Sequence, residues 1–254
     1  MEILLRKKNL SHLQPHIRLD SSHHIKFALL PGDPARLDRI AAFLDDVKEL
    51  AYNREFRSVK GSYKGIEILA ISTGIGGASA GIAVEELLNI GVTAMIRIGS
   101  CGSLQKEVKL GDLIIVNGAV RDDGASRTYI DAMYPAVPDP FLMNACIKSA
   151  QDLGFPFHVG LARSHDSFYT DREEEIDAYW SKRGVLGADM ETAALFTIGR
   201  LRGVCTASIL NCVVTYEDDT ADSIAQYVDG ENLSMQGEKH EILTALEAFY
   251  RINH

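Results

Sequence analysis

Two glycine-dense stretches read as turns, STGIGGAS at 72–79 and RIGSCGSL at 97–104, lie close together in this chain. Glycine lets backbone N–H groups approach a ligand with no Cβ in the way, and an N–H-lined turn at a helix start favours anions. The second block adds a fixed positive charge at Arg97 and a hydroxyl at Ser100. GDPAR at 32–36 offers the Gly32 amide and the Arg36 guanidinium, and Asp189-Met190-Glu191 supplies a late carboxylate. Two arginines, a hydroxyl and a carboxylate on neighbouring loops suit an anion and a polyol held together, because arginine grips phosphate in a forked geometry and never loses its charge. Each residue also has a plainer reading. Glycine serves strand-to-helix turns in any α/β protein, Arg36 and Arg54 are ordinary surface ion-pair residues, Glu191 is a first-turn glutamate favoured by the helix dipole, and His16 is a solvated histidine near a terminus.

The elements that must position these residues alternate between strand and helix. Ile25–Leu30 is an apolar strand ended by PGDP at 31–34, with Asp33 as N-cap and Pro34 in the first turn of a helix over Ala35–Leu44. Phe56–Ser72 reads as a hairpin turning at Lys64-Gly65. Further strands are expected at 94–98, 112–117, 156–162 and 204–210, and helices at 79–90, 139–153, 190–202 and 236–251. Such alternation predicts an α/β fold with a mixed central sheet covered on both faces, and a ligand at the carboxyl ends of its strands. The segment 121–140, rich in Asp, Pro and Gly, reads as a long loop with a functional role or a subunit contact. No repeat or linker interrupts the chain, so residues 1–254 are expected to form one domain.

Composition excludes several classes of function. Apolar content of 46% and charged content of 24% are those of an ordinary globular protein. A net charge of −9 argues against nucleic-acid and anionic-membrane partners, so any phosphate bound here is held by a local group of arginines. Four scattered cysteines with no CxxC, a short opening MEILLRKK and no run of spanning length point to the cytoplasm. Cys101 reads as a small filler rather than a nucleophile, and His23-His24 as surface residues.

The blocks fall in the order of one known family. STGIGGASAGIAVEEL at 72–87 resembles the signature of the purine nucleoside phosphorylase and uridine phosphorylase family. PGDPAR at 31–36, NREF at 53–56, RIGSCG at 97–102, YPAV at 134–137 and DMETAAL at 189–195 follow its order, so the resemblance runs from about His16 to the last helix. A dinucleotide-binding reading is weaker, because GIGGASAG lacks the third glycine of GxGxxG. The resemblance implies a single α/β domain with a mixed, partly barrel-like sheet flanked by helices, and an N-terminal arm, 1–24, contributing to a subunit contact. It implies a homo-oligomer, a hexamer built as a trimer of dimers, with nucleoside and phosphate as its partners. Phosphate would be held by Gly32, Arg36, Arg97 and Ser100, with Arg54 reaching in from a neighbouring subunit. Glu191 would take the ribose hydroxyls with Met190 packed on the sugar, and Phe168 would form a wall beside base and sugar. His16 would meet the 5′-hydroxyl across a subunit boundary. Arg97, Glu191 and Arg36 would carry the reaction, in which inorganic phosphate is a co-substrate and no cofactor is needed. A monovalent cation, K+, would sit at the dimer interface near Glu55, Ile75 and Ser79.

The base is less plainly marked. STGIGGAS and VRDDGAS at 120–126 resemble uridine phosphorylases. Their uracil-reading Gln-x-Arg pair is replaced here by Arg172 and Glu174, the insertion that follows it is missing, and the spacing from Phe168 to Glu191 is like that of bacterial purine enzymes. The aspartate that protonates the purine in those enzymes falls near Val213 or Val214, with Asp218 and Asp219 coming later. Loss of a general acid weighs most against 6-oxopurines, and Arg172 offers donors to a pyrimidine. Uridine is the expected nucleoside and a purine nucleoside the alternative. A hydrolytic nucleosidase, which needs no arginine cluster, and a non-catalytic nucleoside-binding protein are the further alternatives.

Overall fold

A computed structural model of the chain describes residues 13–216 and 232–254. Strand β1 (Phe27–Pro31) is buried along its whole length, as an apolar run between two parallel neighbours must be. It lies between β4 (Ile66–Ile71) and β5 (Ala94–Ser103). β2 (Asp45–Asn53), β3 (Phe56–Tyr63) and β4 form an antiparallel meander at one edge. Its second turn is the expected Lys64-Gly65, with φ of 48° and 83°, the left-handed pair that matches strand twist in a two-residue hairpin.

Beyond β5 the sheet curls. β8 (Val185–Asp189), β7 (Phe157–His165), β6 (Leu113–Asp122) and β9 (Cys205–Val214) follow in that spatial order, and β9 pairs back to β5. The result is a closed five-stranded barrel continuous with an open sheet, the mixed, partly barrel-like architecture that the family resemblance implies. Two apolar cores lie on opposite faces. One packs α2 (Gly77–Asn89) and α6 (Thr192–Arg202) against the sheet. The other packs α1 (Arg36–Ala41), α4 (Pro140–Leu153) and α7 (Asn232–Asn253). No helix among the described residues is long and apolar enough to cross a membrane.

Several expectations need correction. RIGSCG is not a turn, because β5 runs through it to Ser103. α1 begins at Arg36, with Ala35 at the N-cap, so Asp33 caps the turn before it by accepting from Ala35 N at 2.8 Å. The segment 121–140 is not a structureless loop. It holds α3 (Gly124–Tyr129), and the buried Arg121 guanidinium donates to the carbonyls of Ser126, Ile130, Asp131 and Tyr134 at 2.6–2.8 Å. One arginine thus takes the place of a ladder of backbone bonds. Four elements, β2, β8, α3 and α5 (Glu173–Ser181), had no sequence expectation of their own. β2 is an edge strand with little burial, so it lacks the apolar alternation that marks a strand.

Candidate active site

A cavity of about 710 Å³ opens where β1, β4, β5, β7, β8 and β9 end or bend. Among the residues the sequence singled out, Gly32, Arg36, Ser100, Arg97, Met190, Glu191 and Phe168 all line it. Burial decides against the plainer readings of its charged groups: Arg36 is 3% exposed, and Arg97 and Glu191 are each 5% exposed.

Arg97 crosses from β5 to the end of β8. Its Nε donates to Asp189 Oδ2 at 3.0 Å, and its Nη2 lies 2.6 Å from Glu191 Oε2. The route requires Gly99, since a Cβ there would lie 2.4 Å from Arg97 Nη2. The glycine in RIGSCG therefore serves the arginine beside it. Glu191 stands at the N-cap position of α6 without capping it. That work falls to Asp189, which accepts from Thr192 N at 3.0 Å, Thr192 Oγ1 at 2.6 Å and Ser164 Oγ at 2.5 Å. Glu191 Oε1 accepts instead from Gly76 N at 2.6 Å, at a φ of 92° that favours glycine. The anion held by the STGIGG turn in this structure is the chain's own carboxylate. Burial pushes the Glu191 carboxyl above the ordinary glutamate value, while Arg97 opposes the shift. Burial disfavours the Arg97 charge, yet Glu191 and Asp189 hold its pKa above the ordinary value.

Arg36 reaches the same cavity from α1. It donates from Nε to Glu238 Oε2 at 2.9 Å, from Nη1 to Ile98 O at 3.1 Å and from Nη2 to Ser100 Oγ at 3.2 Å. Its Nη1 also lies 3.1 Å from Glu241 Oε1. The carboxylates Glu238 and Glu241 sit one turn apart on α7, and sequence reasoning passed over them. Two glutamates at i, i+3 on the apolar face of an amphipathic helix were the available signal.

Arg36 is the cation beside Glu241 among the described residues, and burial pushes the Glu241 carboxyl up to about 8 despite it. Between the ordinary glutamate value and that point, the folded chain keeps a proton that the unfolded chain has released, so stability falls as pH rises. The contribution is complete below the ordinary value and lost as pH passes through about 8. Glu241→Gln removes this dependence. Between pH 6 and pH 9 the variant is expected to gain about 2–3 kcal/mol on the native chain in thermal melts. An unchanged gap at the two pH values would show that Glu241 does not titrate there.

The remaining sequence candidates are divided between the cavity and the rest of the chain. His16 Nδ1 is 2.6 Å from Glu86 Oε1 on α2, and its ring meets Phe56 edge-on, outside this cavity. Arg54 is exposed at the turn between β2 and β3, where its φ is 56°. Arg172 is exposed, pairs with Glu175 at 2.9 Å and does not line the cavity, so the structure does not bring it to a bound base. Glu174 is also exposed. Glu55 and Ile75 line the cavity edge, and Ser79 Oγ lies 2.7 Å from Glu55 Oε1. That hydrogen bond lowers the Glu55 pKa, so the group offers an anionic oxygen and a hydroxyl, donor types that suit a hard cation. Val214 lines the cavity and Val213 is buried, while Asp218 and Asp219 lie outside the described residues. Burial pushes the Cys101 thiol well up, consistent with a filler rather than a nucleophile. No group of three or more His, Cys, Asp or Glu among the described residues is arranged to hold a metal. Arg163, His165 and Asp177 line the cavity and were missed. An arginine inside the apolar run of β7 was the signal for the first.

Known proteins share this frame. The model of the phosphorylase superfamily matches residues 26–241. A guanosine phosphorylase of Halorubrum lacusprofundi is 39% identical over 196 residues, covering 77% of this chain and 81% of that protein. A uridine phosphorylase of Thermococcus kodakarensis is 36% identical over 251 residues, covering 93% and 85%. A crystal structure of uridine phosphorylase from Vibrio fischeri superposes with a TM-score of 0.88 at 45% identity, covering 96% of this chain and 99% of that one. With the signature blocks, the barrel and the buried arginine–carboxylate cluster in place, this chain belongs to the phosphorylase superfamily.

Proposed function

We propose that the protein cleaves the N-glycosidic bond of a nucleoside by phosphorolysis, with uridine as the nucleoside, releasing free base and ribose 1-phosphate. One observation carries the reading: Arg97 touches Glu191 at 2.6 Å in the cavity where Arg36 meets Ser100. A cationic fork and a sugar-binding carboxylate are thereby held one contact apart. An oxygen of phosphate attacks the anomeric carbon as the C–N bond breaks and its electron pair leaves with the base. Arg36, Arg97, Ser100 and the Gly32 amide orient the dianion, which makes the attack effectively unimolecular. Glu191, beneath the ribose, holds its hydroxyls and favours the positive charge that develops on the sugar.

Uridine is supported by the likeness to uridine phosphorylases and by an apolar Val214 where a purine would need an acid. Arg172 has no role in this reading, because it is exposed and does not line the cavity. His16 and Arg54 act across a subunit boundary, in a hexamer built from dimers whose interface includes the 1–24 arm, of which 1–12 lie outside the described residues. Glu55, Ile75 and Ser79 bind K+ at that interface, and no further cofactor takes part. The enzyme works in the cytoplasm, in nucleoside salvage. The test is release of free base from uridine, thymidine, inosine and adenosine, each with and without phosphate. Phosphate-dependent uracil release is the expected result. Release without phosphate would make the protein a nucleosidase, and purine release alone would overturn the assignment of the base.

A further inference from the structure

Arg163 of β7 is a buried charge, 7% exposed, that no step above uses. Gly102 of β5 pairs with Val214 of β9 and with Ala188 of β8, and Ala188 pairs with Arg163. All four residues line the cavity in one cross-strand row. Neighbouring strands lie about 4.8 Å apart, so Arg163 is two strands from β5, with β8 between them. Across the cavity the order is therefore anion-holding groups on β1 and β5, sugar-holding groups at the end of β8, and then β7. A nucleoside laid along that order brings its base to Arg163.

The guanidinium is fixed from behind. Its Nε and Nη2 lie 2.9 Å and 2.8 Å from Asp122 Oδ2. Its Nη1 faces Asp177 Oδ1 of α5 at 3.8 Å, beyond hydrogen-bond reach. Phe168 and His165 line the cavity beside them. A rigid donor and an acceptor thus stand side by side with a gap between. Burial raises the Asp177 carboxyl above the ordinary aspartate value, against Arg163 and His165, a cost that a donor from a bound base would offset.

We propose that Arg163 and Asp177 read the lactam edge of the base, Arg163 donating from Nη1 to the ring carbonyl and Asp177 accepting from the adjacent ring N–H. The proposal rests on the phosphorolysis reading and specifies its substrates as keto-base nucleosides. Uracil and the 6-oxopurines share that edge, whereas cytosine and adenine turn an amino group and a bare ring nitrogen to the same place. An amino base would set donor against donor at Arg163 Nη1 and lone pair against carboxylate at Asp177, leaving that N–H and the Asp177 carboxylate unmatched.

Asp177 is the residue to change, since its side chain is 32% exposed and Arg163 keeps its bond to Asp122. The full chain is assayed with uridine and cytidine at saturating phosphate, and with inosine and adenosine as a second pair. The native enzyme is expected to prefer uridine to cytidine by about 10²-fold or more. Asp177→Ala is expected to lower kcat/KM for uridine by about 10–100-fold while leaving the KM for phosphate within roughly twofold. Asp177→Asn, whose amide both donates and accepts, is expected to raise the cytidine-to-uridine ratio by about tenfold. A merely structural role would shift phosphate binding as well. Native-like uridine turnover in Asp177→Ala, or equal cleavage of uridine and cytidine by the native enzyme, would overturn the proposal and leave phosphorolysis standing. No phosphate-dependent release by the native enzyme from any of the four nucleosides would overturn the phosphorolysis reading itself.

Discussion

Replacing Arg97 with alanine is expected to lower kcat/KM for phosphorolysis by about 10³-fold and to destabilise the fold by about 3–5 kcal/mol. The two losses have one origin. Arg97 neutralises two buried carboxylates at once, Asp189 through Nε at 3.0 Å and Glu191 through Nη2 at 2.6 Å. Its removal leaves both without a cation in a site that water reaches poorly, and breaking a buried pair from one side costs far more than the pair contributes. In the proposed reaction the catalytic loss comes from the fork that would orient the attacking dianion. Arg97→Lys separates the effects, because an ammonium restores the charge but not the forked geometry. Its urea midpoint is expected to recover more of the native value than its turnover does. Near-native turnover in Arg97→Ala would remove this residue from the site.

The parts of this architecture that rest on local pattern were legible in the sequence. Asp139, Pro140 and Gly154 bracket α4 with a side-chain cap, a first-turn proline and a left-handed C-terminal glycine, and each signal lies within three residues of the helix. The parts that rest on distant pairing were not. Nothing near β9 says that Arg97 pairs in register with Ser208, and that pairing closes the barrel. The turn expected at RIGSCG failed for a related reason: Gly99 is small to admit the Arg97 side chain, and chain reversal has no part in it. Arg121 shows the same limit, since an arginine that organises 126–134 through backbone carbonyls looks in sequence like any strand-end charge.

In the site, the family blocks led to Arg36, Arg97, Ser100 and Glu191, and all four meet in one cavity. They did not lead to Glu238 and Glu241, which lie on α7 at the far end of the chain and face Arg36 only because α7 packs beneath β5 and β9. The role once open to Arg172 depended on which way the start of α5 faces. Three glutamates follow it in the first turn, and the nearest suitable one, Glu175, holds it outward.

Glu191→Gln is expected to lower kcat for uridine by about 10²–10³-fold while changing stability by no more than about 1–2 kcal/mol. The carboxylate is held by the Gly76 amide and by Arg97, each at 2.6 Å, and these partners explain the asymmetry. Glutamine keeps an oxygen for Gly76, and it removes a buried charge whose desolvation already pushes its pKa upward, so the fold loses little. What disappears is the negative charge beneath a sugar that becomes positive in the transition state. On the proposed reading, ribose hydroxyls at Glu191 would take the place of its contact with Arg97, which would free Arg97 Nη2 for phosphate. The variant tests that exchange, because 2′,3′-dideoxyuridine offers no hydroxyl for the carboxylate to hold. If Glu191 acts through the sugar, the substitution costs dideoxyuridine much less than it costs uridine, a non-additivity that a cycle of enzyme and substrate changes measures directly. Equal losses on both substrates would mean that Glu191 serves only to position Arg97, and the hydroxyl contact would have to be withdrawn.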